Sequence, residues 1–127
     1  MKISDLKNLF SGQITFASFQ DLLKVRLSSY EKSHDIKGST IPIEVIEDDV
    51  LFFGVEEFKF LLQAYRDEKL TKVEVAYIAD AISLSSKVKF ESDGIQDELE
   101  ILCDFKFLEC LSSGDIERII ENAPNLK

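Results

Sequence analysis

Thr71-Lys72-Val73-Glu74-Val75-Ala76-Tyr77-Ile78-Ala79-Asp80-Ala81-Ile82-Ser83-Leu84 is the stretch that organises the rest of the chain. Thr71 and Glu74 have the spacing of a capping box, in which each side chain satisfies a free backbone amide of the first turn. Behind them Val73, Val75, Ala76, Tyr77, Ile78, Ala79, Ala81 and Ile82 make the helix apolar nearly all round, as expected of one at the centre of a domain. Two acids interrupt it. Glu74 is expected to cap, and Asp80, on one face with Tyr77, to make a structural hydrogen bond. A catalytic or partner-binding cleft with a shifted carboxylate is the sharper alternative.

Upstream, Phe58, Leu61, Leu62 and Tyr65 keep the helical period after Gly54, and Arg66-Asp67-Glu68-Lys69 is a charged stop before Thr71. Nearer the start, Leu6, Leu9 and Phe10 predict a helix ending at Ser11-Gly12. Thr15 is placed to cap a longer one with an apolar stripe of Phe16, Phe19, Leu23, Leu27 and Tyr30. The polar run from Ser33 to Pro42, with Gly38, predicts a loop. Ile43-Glu44-Val45-Ile46-Glu47 and Val50-Leu51-Phe52-Phe53 are β-prone runs around Asp48-Asp49, compatible with a small hairpin over 43–53, a helix being the alternative. Downstream, Ser85 and Ser86 close the central helix and Val88-Lys89-Phe90 reads as a short extended segment. Asp93 with Gln96 has capping geometry before Ile95, Leu99 and Leu102. Ser112 or Ser113 caps a last helix through Ile116, Ile119 and Ile120, with Asp115 and Glu117 against its positive end, until Pro124. The expected architecture is mostly α: one helical bundle spanning 1–127.

The 127 residues, 45% of them hydrophobic, suit one core, and ten Phe with few Pro and Gly leave little room for long linkers. Cys103 and Cys110 match neither a zinc knuckle nor a redox dithiol and read as buried apolar residues of a reducing compartment. No apolar run has the length of a signal peptide or a membrane span, so a cytoplasmic protein is expected. A formal charge of -9 disfavours nucleic acid and anionic membranes and favours a cationic partner, although acidity also serves solubility.

Most enzyme classes lack their constellation here. The single histidine, His34, falls in the expected loop, so a Ser/His/Asp or Cys/His arrangement would rest on one side chain. There is no glycine-rich phosphate loop and no His-Glu-x-x-His helix, and neither Asp48-Asp49 nor Asp93-Gly94 continues into a calcium loop. No catalytic residue, metal ligand or cofactor is assigned. Acids are abundant enough to leave a small carboxylate-dependent hydrolase or metal enzyme, acting through Asp80, as an alternative, and an adaptor or regulatory subunit as another.

The distribution of acid is more informative than its amount. Glu44, Glu47, Asp48, Asp49, Glu56 and Glu57 occur in one stretch without Lys or Arg. Glu91, Asp93, Asp97, Glu98, Glu100 and Asp104 form a second, whereas Lys2, Lys7, Lys24, Arg26, Lys32 and Lys37 gather in the N-terminal third. Such a lopsided field steers a basic partner, and anchored carboxylates can stand in for the phosphates that its Arg and Lys would bind. The plain alternative is two solvated helix faces and a charged turn. Glu44, Glu47, Asp48, Asp49, Glu56, Glu57, Glu91, Asp93, Asp97 and Glu98 are the candidate partner-binding residues, with Glu47, Asp48, Asp49 and Glu57 foremost.

Leu6-Lys7-Asn8-Leu9-Phe10-Ser11-Gly12-Gln13-Ile14-Thr15-Phe16, followed by Phe19, Leu22, Leu23 and Tyr30, resembles the helical N-terminus of colicin D type immunity proteins. Phe58 through Leu62, Glu74 through Ala81, Gly94-Ile95 and Ile116 through Ile120 resemble helical immunity proteins of bacteriocin and contact-dependent growth inhibition toxin pairs. The resemblance implies a stoichiometric inhibitor that forms a heterodimer with a cognate toxin domain, often a basic nuclease, and blocks its active site or substrate groove. It carries over no contact residues, so the acidic clusters rest on the sequence itself.

Overall fold

Only side chains with a partner across the molecule turn amphipathic stretches into a fold, and the partners here converge on the central helix. The computed structural model describes residues 1–34 and 45–125, with side chains 25 and 29–34 outside the description. The helices are α1 (Ile3–Ser11), α2 (Phe16–His34), α3 (Val55–Arg66), α4 (Lys72–Leu84), α5 (Asp93–Ile101), α6 (Phe105–Cys110) and α7 (Ser113–Asn122), followed by a 3-10 turn, Ala123–Asn125. The strands are β1 (Leu51–Phe53) and β2 (Val88–Phe90). The chain is mostly α, and no helix among the described residues is long and apolar enough to cross a membrane.

Helix α4 packs against α2, α3, α5 and α6, and Val75, Ala76, Tyr77, Ile78, Ala79, Ala81 and Ile82 have no exposed surface. Its capping box forms as expected: Thr71 Oγ1 accepts from the Glu74 amide at 3.2 Å and Glu74 Oε1 from the Thr71 amide at 2.8 Å. Ser112 and Asp115 repeat the device on α7, and Thr15 Oγ1 accepts from the Ser18 amide ahead of α2. Phe10 links the start of the chain to the rest, packing edge-on to Phe53 and Phe60, while Phe16 stacks on Phe60.

Four local expectations are corrected. Leu51–Phe53 pairs not with the preceding run but in parallel with Val88–Phe90, Leu51 opposite Val88 and Phe53 opposite Phe90. Parallel strands need a long crossover, which α3 and α4 supply, and burial of Leu51 and Phe53 turns β1 towards that core. Ile46 instead makes an isolated parallel bridge with Lys2, and 43–44 lie outside the described residues. The backbone stays helical to His34, where a loop was expected from Ser33, because α2 continues its turn past the apolar stripe; the remainder of that loop, 35–42, is outside the description. Ser92 rather than Asp93 caps α5, its hydroxyl accepting from the Ile95 amide, which moves Asp93 into the first turn. Cys110, at the end of α6 with its side chain turned out, is exposed, and Cys103 is partly buried.

The ends of α1 and α3 make the same turn with different residues. At α1 the Gln13 amide reaches Asn8 O and the Gly12 amide Leu9 O, with Gly12 at φ 81°. At α3 the Lys69 amide reaches Ala64 O and the Glu68 amide Tyr65 O, with Glu68 at φ 61°. Glycine holds this left-handed position without strain, whereas a residue with a Cβ costs roughly 1–2 kcal/mol there.

Candidate functional site

The first acidic stretch is largely occupied in holding the chain together. Glu47 accepts from the Ser86 amide at 2.5 Å and from the hydroxyls of Ser85 and Ser86 at 3.0 Å, tying the approach to β1 to the end of α4. Asp48 accepts from the amide of Ser4 at 3.0 Å and its hydroxyl at 2.6 Å, tying it to α1. Asp49 accepts from the Val50 amide at 2.7 Å and faces Lys7 Nζ at 3.4 Å. The Ser86 amide, helped by the two hydroxyls, holds Glu47 below the usual carboxylate range, and the Ser4 hydroxyl and amide do the same for Asp48.

Glu57 and Glu91 serve the start of α3. Glu57 Oε1 accepts from the Gly54 amide at 2.9 Å, and Glu91 Oε2 from the Val55 amide at 3.1 Å. Glu56, in the same turn, is exposed. Glu44 lies outside the described residues.

The second stretch is arranged differently. Ile95 and Leu99 anchor α5 in the core, leaving Asp93, Asp97 and Glu100 exposed at helical spacings of four and three, with Glu98 half-buried. None of these four carboxylates makes a hydrogen bond or ion pair with another described residue. The like charges of this stripe destabilise a helix by about 0.2–0.5 kcal/mol per neighbouring pair. Ile101, 41% exposed, adjoins the stripe, and Asp104 beyond it caps α6 by accepting from the Lys106 amide. Carboxylates around an exposed aliphatic side chain form a surface suited to a cationic protein. A second exposed apolar residue, Phe52 at 56%, stands on β1 beside Val50.

Both acids of the central helix have structural partners. Glu74, 6% exposed, also accepts from Gln20 Nε2 at 2.9 Å, which joins α2 to the α4 cap. The Cys103 thiol, 4.0 Å from the Leu99 carbonyl oxygen, has its pKa pushed far up, first by burial and then by the Asp80 carboxylate. A thiol held neutral in this way is no nucleophile at neutral pH. Among the described residues no group of three His, Cys, Asp or Glu is placed to hold a metal ion.

Between the end of α3 and the start of α7 runs an open groove of about 390 Å³, lined by Tyr65, Arg66, Glu68, Leu70, Thr71, Leu111, Ser113 and Ile116. Sequence reasoning passed over Glu68, treating its tetrapeptide only as a helix stop. The exposure of Phe52 and Ile101 was not legible either, because hydrophobic pattern alone does not separate an outward apolar residue from a core one. Compared with protein-family models, curated proteins and solved structures, the chain matches none.

Proposed function

We propose that this protein is a stoichiometric inhibitor of a basic toxin domain, an immunity protein that acts by binding rather than by catalysis. The observation that carries the reading is the outer face of α5. Asp93, Asp97 and Glu100 are exposed and bonded to no described residue, on a helix whose only buried residues are Ile95 and Leu99. Asp93 gains from the positive pole of the helix, but Asp97 repels both Asp93 and Glu100, and a cationic groove would relieve that repulsion. The contact is assigned first to this face, with Glu56 and Glu98 as further contributors, because Glu47, Asp48, Asp49, Glu57 and Glu91 already have internal partners.

The test is co-expression with the product of the neighbouring reading frame in a bacterial host. Restored growth and a co-purifying one-to-one complex are expected, with affinity falling as salt rises and falling further on D97K/E100K. A neighbouring product that is harmless, or toxic yet neither bound nor neutralised by this chain, would refute the reading. Binding indifferent to D97K/E100K would remove α5 from the interface.

A further inference from the structure

We infer that the groove between the end of α3 and the start of α7 receives an arginine side chain of a basic protein partner, with Glu68 pairing its guanidinium. This deepens the inhibitor reading and rests on it. The floor is apolar: Leu70 and Ile116 are buried and Leu111 is half-buried, which suits the methylene stem of a long side chain. The volume of about 390 Å³ is enough for one such side chain.

The charge around the groove is negative after its own cations are matched. Arg66 is held by both Asp67 and Glu117, and Lys72 by Glu109, while the Glu68 carboxylate has no partner among the described residues. The end of α3 adds the negative pole of a helix, and the positive pole of α7 is already answered by Asp115 in its capping box. An anionic ligand would therefore find Arg66 engaged and the α7 amide satisfied.

The backbone supplies an independent reason to single out Glu68. It occupies the left-handed position of a helix-ending turn for which this same chain uses Gly12 at α1. The turn explains the backbone but not the choice of glutamate, whose exposed carboxylate bonds no described residue, and strain retained in this way collects at binding sites.

The test uses the full chain, labelled for amide NMR and titrated with N-acetylarginine amide, with N-acetylglutamate and inorganic phosphate as further arms. Arginine-induced shifts are expected at 65–71 and 111–116. Glu68→Gln, which keeps the strain, and Glu68→Gly, which relieves it, are each expected to weaken binding roughly threefold to tenfold. Glu68→Gly should melt a few degrees higher, which separates lost binding from lost folding. Arginine shifts confined to 93–104, unchanged affinity in both variants, no rise in melting temperature, or groove shifts induced by phosphate would each overturn the proposal. A toxin neutralised equally by parent and both variants would overturn the groove and leave the inhibitor reading standing. Arginine seated in the groove of a chain that neutralises no toxin would support the groove and remove that reading.

Discussion

Replacing Glu74 by alanine should destabilise the protein by about 2.5–3.5 kcal/mol, a large part of the roughly 5–15 kcal/mol that holds a domain folded. Oε1 of Glu74 accepts from the Thr71 amide at 2.8 Å and from Gln20 Nε2 at 2.9 Å, and the residue is 6% exposed. Loss of a cap interaction costs about 1 kcal/mol, and removing the charged acceptor of a sheltered donor costs about 1.5–3 kcal/mol. The upper part of that range is tempered because the Gln20 amide keeps its second acceptor, Lys69 O at 2.9 Å. Glu74→Gln retains the shape and one acceptor oxygen and should lose about 1 kcal/mol. Urea unfolding followed by circular dichroism reads the difference as a shift in midpoint at constant m. A double-mutant cycle with Gln20→Ala isolates the link between α2 and α4, with an expected coupling of about 1 kcal/mol. An alanine variant within 0.5 kcal/mol of the parent, or a coupling of zero, would show that the helix cap and the bundle are not joined through this carboxylate.

Three further outcomes follow from other sites. Gly12→Ala should cost about 1 kcal/mol in urea unfolding, and since no atom lies within 4 Å of the added Cβ, the loss is conformational; an unchanged midpoint would contradict the left-handed geometry. Glu47 and Asp48 have lowered pKa values in the fold, so their stabilisation is present above the unfolded carboxylate pKa near about 4 and is lost as pH falls through the folded values. Glu47→Gln with Asp48→Asn should flatten the melting-temperature profile below about pH 4, and parallel profiles for parent and variant would count against these bonds. Cys110 should react with a disulfide reagent in the native protein at mildly alkaline pH while Cys103 waits for unfolding; two fast equivalents would place Cys103 wrongly.

Features decided within four or five residues were legible in advance. Thr71 with Glu74 and Gly12 after Leu9-Phe10 carry their structural meaning locally, because each satisfies amides or carbonyls of its own helix end, and at α7 the cap was legible to within Ser112 or Ser113, Ser112 making it with Asp115. The near-uniform apolarity of α4 likewise announced its central place. The pairing of β1 with β2 was not legible: three-residue strands have too little pattern to name a partner across two helices. The fate of the acids divides in the same way. Nothing within Glu47-Asp48-Asp49 shows that Ser4, Lys7, Ser85 and Ser86 will meet it, since those partners arrive through the tertiary fold. The spacing of Asp93, Asp97 and Glu100 shows at once that one helical face is acidic, because no distant residue intervenes. Glu68 gave no signal because only glycine or asparagine marks a left-handed position in a sequence.

Helix α5 separates two kinds of constraint along one short stretch. Ile95 and Leu99 answer to the core, while Asp93, Asp97, Glu100 and Ile101 project from it. Substitution at the outer positions leaves the interior packing untouched, so the character of this face can be rewritten residue by residue without renegotiating the fold beneath it. The same scaffold therefore accepts many versions of this surface, each carried by a body that does not register it.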